Sequence, residues 1–218
     1  MKYIYDENFY GIETVKMEYY TDDAKLHLAV MNYDDSEMYW YIEIEKNITR
    51  YKFVINDIIR LNDPKASSYI SDDKWEVWSV PGECDNETPK LKAYNISNAM
   101  SHGVDNAIKK TEYIYDRPID VYIGAKIGNV KGIHTLTLIC FQPDGSLYML
   151  EESTMGQFEQ QEADYEVIFK NRIAKIQGRY AEGMWSIQVY LDGKLVIKDY
   201  LVLKKKITSD IVLFDYKM

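Results

Sequence analysis

The sequence predicts an all-β protein with one short helix, arranged as two antiparallel β domains. Three observations predict it. In Met184–Tyr200, Trp185, Ile187, Val189 and Leu191 fall on one side of an extended chain, and Ser186, Gln188 and Tyr190 on the other, because side chains alternate across a strand. Asp192-Gly193 then interrupts the pattern and supplies the positive φ angles of a two-residue hairpin turn. The same period of two recurs along the chain, and the composition fits it. Apolar residues make up 46% and aromatic residues 14%, with 20 tyrosines, and such side chains suit a pleated, half-buried surface.

The first half opens with short alternating segments. Val15, Met17 and Tyr19 alternate with Lys16 and Glu18; Leu26, Leu28 and Val30 alternate with His27 and Ala29. Met38, Trp40, Ile42 and Ile44 alternate with Tyr39, Tyr41, Glu43 and Glu45, and Tyr51, Phe53 and Ile55 continue the series. Each segment has the mark of a strand with one wet face. Thr21-Asp22-Asp23 and Asn32–Ser36 between them are turn material. Residues 12–60 therefore read as a meander of four antiparallel strands. Residues 62–73 form a polar loop, Lys74–Val80 a further strand carrying Trp75 and Trp78, and Pro81–Pro89 a second loop. The period then changes. Ile96, Met100, Val104 and Ile108 are spaced four apart, which predicts a short amphipathic helix near 98–110 capped by Asn95 or Ser97. Gly103 inside it works against that helix.

Arg117-Pro118 marks the expected boundary between domains 1–117 and 118–218. Residues 1–117 carry 14 basic and 22 acidic side chains, against 12 and 13 in the remainder, while glycine rises from 3 to 8. A joint shift in charge and glycine usage supports a boundary. Beyond it, Ile119–Ile127, Ile133–Phe141, Ser146–Leu150, Tyr165–Phe169, Ile173–Ile176, Trp185–Leu191, Leu195–Leu203 and Ile211–Phe214 read as strands. Gly128-Asn129, Pro143-Asp144-Gly145, Glu182-Gly183 and Asp192-Gly193 separate them. Short strands at this spacing predict a β-sandwich. Gln142-Pro143-Asp144-Gly145 after an apolar strand, then Gly183-Met184-Trp185 and Val189-Tyr190-Leu191-Asp192-Gly193-Lys194, resemble bacterial immunoglobulin-like domains, in which such turns and late hairpins recur. The likeness covers about 118–206 and implies a sandwich that serves as a spacer or binding module; the Cys-Trp-Cys arrangement of antibody-type domains is absent.

Charge and motifs narrow the chemistry. The net charge of −9 disfavours nucleic acid and anionic membrane surfaces as partners. Cys84 and Cys140 make no disulfide framework and no zinc spacing. The N-terminal segment has no signal-peptide core, and no stretch reaches the length of a membrane span, so a cytoplasmic protein is expected. His27, His102 and His134 are scattered, and neither a nucleophile elbow nor a phosphate loop is present. Acidic pairs such as Asp22-Asp23 and Asp72-Asp73 fall at turns, where Asp serves the backbone. No catalytic residue, metal ligand or cofactor is expected.

Binding fits better. Tyr39, Tyr41 and Glu43 share the face opposite Trp40, and Trp75 and Trp78 point to opposite faces of their strand. Exposed aromatic rings anchor interfaces or stack on sugars. The expected function is a non-catalytic interaction or structural protein of bacterial or phage origin. Its acidic, Tyr-rich half (Tyr39, Tyr41, Glu43, Trp75, Trp78) would contact a protein partner or a second copy. A carbohydrate- or polymer-binding module is the runner-up, and a hydrolase with paired carboxylates a remote alternative.

Overall fold

A computed structural model describes residues 1–7, 11–82, 89–115, 118–156, 163–173 and 181–205. Its strands run in chain order as β1 (Lys2–Tyr5), β2 (Val15–Thr21), β3 (Leu26–Val30), β4 (Asn32–Asp34), β5 (Tyr39–Glu43), β6 (Ile48–Ile55), β7 (Ile59–Leu61), β8 (Ser68–Ser71) and β9 (Val77–Val80). They continue as β10 (Lys90–Ser97), β11 (Glu112–Tyr115), β12 (Ile119–Val130), β13 (His134–Phe141), β14 (Leu147–Met155), β15 (Ala163–Ile173), β16 (Gly183–Leu191) and β17 (Lys194–Lys205). The expected strand Ile211–Phe214, the end of Ile173–Ile176, and Cys84 lie outside the described residues.

The second half is a two-sheet sandwich. One sheet has the order β10-β12-β15, the other β11-β17-β16-β13-β14. Counting β10 as A, β12 as B and β13 as C, these match the A-B-E and G-F-C-C′ sheets of an immunoglobulin sandwich, with β11 as a fifth strand running parallel to β17 at the edge of the second sheet. The Asp192-Gly193 turn joins β16 to β17 with Leu191 opposite Lys194 and φ of 51° and 89°, as the hairpin reading requires. Trp185, Ile187, Val189 and Leu191 meet Val121, Ile123, Ala125 and Ile127 between the sheets. Complete burial of one such aliphatic side chain stabilises the fold by roughly 1.5–3 kcal/mol. Strands β10 and β11 precede Arg117-Pro118, yet they pair with β12 and β17, which follow it.

The first half holds a second core. The sheet β3-β2-β6-β9-β8, with β7 also on β6, packs against the small sheet β1-β5-β4. Val15, Met17 and Tyr19 lie opposite Ile55, Phe53 and Tyr51 in register. They share a face because cross-strand partners do, and Tyr3 and Tyr5 cover it edge-on to Tyr51 and Phe53. The single four-strand meander expected over 12–60 is therefore replaced by two sheets. The strand holding Trp40 leaves the β2–β6 sheet and pairs with β1 and β4.

Ile139 and Tyr190 belong to this second core, although they sit on sandwich strands. The outer face of the β13–β16 sheet, expected to be wet, forms part of its floor. That explains why β13 is buried along nearly its whole length: Leu136, Leu138 and Cys140 face the sandwich core and Ile139 the other.

Two sequence expectations fail locally. No helix forms among the described residues, and 98–110 is a chain of turns. Gly103 takes φ +85° there, a left-handed value that interrupts helical geometry. Asn95 Nδ2 donates to Val104 O and Ala107 O at 3.2 and 2.6 Å, and Lys110 N to Ile96 O at 2.7 Å, which holds the loop down. Met100 and Val104 are buried over Gly124, whose missing Cβ leaves them room, while Ile108 is exposed. The expected Gly128-Asn129 turn is instead an irregularity within β12, where the register with β15 shifts between Ile127 and Val130 and Asn129 has φ +63°.

Candidate functional site

The aromatic residues expected to form one surface are divided between two sheets. Tyr39 and Tyr41 lie side by side on β5, with centroids 6.1 Å apart and planes at 82°. Lys2 on β1 places Nζ 4.9 and 4.7 Å from those centroids and donates to Tyr39 OH at 2.8 Å. The two rings are thus clamped by the chain's own ammonium. Glu43, opposite Lys2 in register, is exposed. Trp75 and Trp78 belong to the larger sheet. Trp75 sits on the turn before β9 at φ +66° and is exposed. Trp78 is buried: its indole N–H donates to Asp72 Oδ2 at 3.1 Å, and Arg50 lies over it and over Tyr20. Burial removes Trp78 from the expected surface.

A different surface stands out in the acidic half. Strand β3 is the edge of its sheet. Ala29 and His27 pair with Met17 and Tyr19, so they take the core side, and His27 stacks on Tyr19 at 5.1 Å. Leu26, Leu28 and Val30 consequently point outward, exposed by 51, 57 and 64%. The alternation that marked this strand in the sequence is present with its apolar side out.

At the seam where the halves meet, polar contacts accompany the apolar packing of Ile139 and Tyr190. Gly193 of the β16–β17 turn presses on Asn62, where a Cβ would stand 1.8 Å from the Asn62 carbonyl oxygen. Asn62 Nδ2 donates to Thr135 Oγ1 at 3.2 Å, Ser79 Oγ to Asn62 Oδ1 at 3.2 Å, and Asp63 N to Ser79 Oγ at 2.8 Å. Asp63 accepts from Tyr51 OH at 2.7 Å and Lys65 N at 2.8 Å. Burial still leaves its carboxyl above the ordinary value, with Tyr51 and Lys65 opposing. Nearby, Lys52 is almost fully buried, with Nζ 3.4 Å from Glu76 and 3.7 Å from Glu152. Burial raises the Glu152 carboxyl although Lys52 pulls it down.

Beside this seam opens a cleft of about 700 Å³. Asp6, Glu7 and residues 64–69 line it from one half; Lys131–His134, Leu191, Asp192, Lys194 and Val196 line it from the other, together with Pro89 and Lys90. His134 is tied on both ring nitrogens, Nδ1 to Asp192 Oδ2 at 2.7 Å and Nε2 to Lys131 O at 3.0 Å. Burial alone would lower its pKa; the hydrogen bond and charge of Asp192 overcome that and raise it. The other Asp192 oxygen accepts from Thr135 N at 2.8 Å. None of Asn62, Asp63, Ser79 and Thr135 was expected at a site, and Asp192 was expected only as a turn residue. The available signal was polar residues embedded in apolar runs, as in Trp78-Ser79-Val80 and Thr135-Leu136-Thr137-Leu138.

Among the described residues, no cluster of three or more His, Cys, Asp or Glu is placed to hold a metal ion. Burial pushes the Cys140 thiol up to about 12, opposed by the Asn171 amide, which makes it a poor nucleophile.

Together these features define an all-β protein whose immunoglobulin-type sandwich carries a second β unit on its outer face. No family model matches the chain, and no curated protein matches it. Among solved structures it is similar to an immunoglobulin-like protein from Pseudomonas aeruginosa, at 14% identity and a TM-score of 0.39, over 55% of this chain and 99% of that one. It is also similar to β-glucuronidase 2 from Bacteroides uniformis, at 11% identity and a TM-score of 0.34, over 91% of this chain. The chain spans 25% of that enzyme's length.

Proposed function

We propose that this is a non-catalytic interaction protein whose contact element is the β3 edge, pairing with β3 of a second copy. The observation that carries the reading is the exposure of Leu26, Leu28 and Val30 on an edge strand. An edge strand presents unpaired N–H and C=O groups, and monomeric proteins usually blunt it with lysine, proline or a bulge. Residues 26–30 (Leu-His-Leu-Ala-Val) contain neither lysine nor proline, and their pairing with β2 runs without a bulge. The segment is also self-complementary. Antiparallel pairing centred on Leu28 sets Leu26 against Val30 of the second copy and Leu28 against its counterpart, an isologous contact of the kind that closes a two-fold dimer. A role in binding rather than proton transfer is favoured by His134, whose two ring nitrogens are both held in hydrogen bonds.

Sedimentation velocity tests it. The wild type is expected to shift with concentration toward twice 25.6 kDa, with a dissociation constant on the order of 10 μM. Leu28→Lys places a charge on the outward face of the edge and is expected to leave a single 25.6 kDa species with an unchanged circular-dichroism spectrum. A wild type that stays monomeric at about 300 μM, or a Leu28→Lys variant that still dimerises, overturns the reading.

A further inference from the structure

We infer that the cleft between the two halves binds a small organic anion through Lys90, Lys131 and Lys194. The argument starts from charge. The chain carries −9 overall, so a concentration of lysines at one concave site is against its trend. Four lysines line the cleft, at 65, 90, 131 and 194. Lys65 pairs with Asp6. The acids of the cleft are engaged as well: Glu7 Oε2 accepts from Leu195 N at 3.2 Å, and Asp192 is held by His134 and Thr135 N. Lys90, Lys131 and Lys194 have no ion pair or hydrogen bond through their ammonium groups among the described residues, and all three are exposed. Set against Asp6, Glu7 and Asp192, the four lysines leave the cleft a net formal charge of +1 with His134 uncounted, in a chain of −9, and three of its ammoniums face it without a partner among the described residues.

Its shape and walls fit the same class of ligand. A volume of about 700 Å³ lies in the usual range of small-molecule sites, which favour boundaries between structural units. Pro64, Tyr69 and Ile133 provide apolar wall, and a ring compound packs against such surfaces while its charged group meets the ammoniums. Tyr69 is held in place, donating its OH to Asp63 O at 2.9 Å and lying edge-on to His134 at 5.6 Å, so part of the wall is pre-formed. Either a phosphate or a carboxylate supplies the needed charge. The proposal is independent of β3 pairing, because none of the cleft residues lies on β3.

Isothermal titration calorimetry of the full chain tests it with three probes of one ring size: glucose 6-phosphate, galacturonate and neutral glucose. Saturable binding of at least one anion is expected, with none of glucose. The anion that binds identifies the charged group, and binding of both points to charge alone as the selector. Raising salt from about 50 to 300 mM should weaken binding severalfold, since exposed ammoniums are screened. Lys131→Ala/Lys194→Ala removes two exposed side chains and is expected to weaken it about tenfold or more with the circular-dichroism spectrum and the β3-dependent mass unchanged. No saturable binding of either anion up to about 10 mM, equal binding of glucose, or undiminished binding by the double variant overturns the inference.

Discussion

Gly193→Ala should be among the most destabilising single-methyl additions in this chain, and Gly145→Ala separates its two causes. Both glycines sit on hairpin turns at nearly the same backbone angle, φ +89° for Gly193 and +84° for Gly145. A left-handed conformation costs an alanine about 1 kcal/mol in either place. At Gly145 nothing lies within 4 Å of the added Cβ, so the cost ends there. At Gly193 the Cβ would stand 1.8 Å from the Asn62 carbonyl oxygen and 2.8 Å from its carbon. A carbon rests no nearer than about 3.3 Å to such an oxygen, so the hairpin and the Asn62–Pro64 turn must part by about 1.5 Å. Both atoms met are backbone, so no side chain can swing aside. A separation of that size breaks the 3.2 Å Asn62–Thr135 hydrogen bond, worth about 1 kcal/mol with further cost for groups left unpaired in a buried seam. It also forfeits much of the local packing. The sum is about 3–4 kcal/mol for Gly193→Ala against about 1 kcal/mol for Gly145→Ala. In a chain of this length the larger figure lowers Tm by roughly 6–16 °C and the smaller by roughly 2–4 °C. Urea unfolding, followed by circular dichroism, reads the difference directly. Equal losses in the two variants would refute the contact between the hairpin and the Asn62 turn.

Two further outcomes follow from the placement of single residues. His134 has a folded pKa above its ordinary value, so its pairing with Asp192 adds stability that is complete below about pH 6.5 and is lost as pH rises through the raised value. Unfolding free energy should fall over that window in the wild type and less so in His134→Gln; parallel pH profiles for the two proteins would count against the pairing. Trp75 is exposed, Trp40 is half-buried, and Trp78 and Trp185 are buried, so Trp75→Phe should remove the largest share of the acrylamide-quenchable fluorescence and Trp78→Phe should not. An unchanged Stern–Volmer slope in Trp75→Phe would mean the indole lies elsewhere.

The features legible in the sequence were those that local physics decides. The Asp192-Gly193 hairpin and the Trp185–Leu191 face came from a turn rule and a period of two, and neither depends on distant residues. The 98–110 segment misled because Met100 and Val104 at helical spacing are also what a loop needs to plug a hollow. The hollow is supplied by Gly124 and the ties by Asn95, and no local pattern links these positions. The outward face of β3 was hidden for a related reason. Period two identifies two faces but not which is inward; that was fixed by register, which sets Ala29 and His27 against Met17 and Tyr19. The seam was least legible, because Asn62 and Thr135 are separated by 73 positions and polar residues in a strand ordinarily signal water.

The two halves are joined by two kinds of contact that do different things. Ile139 and Tyr190 contribute apolar area to the N-terminal core, and area of that kind is largely indifferent to small rotations. Hydrogen bonds are not indifferent. Asn62 reaches Thr135 and Ser79 at once, Ser79 also receives Asp63 N, and Asp63 in turn holds Tyr51. In so dry a site each broken bond costs the full desolvation of the groups left behind. The chain of polar groups therefore selects one mutual orientation among those the apolar contact would accept. The cleft depends on that choice, since its walls come from both halves; β3 does not, since its edge belongs to one sheet alone. Loosening the seam should accordingly weaken anion binding in the cleft while leaving pairing through β3 intact.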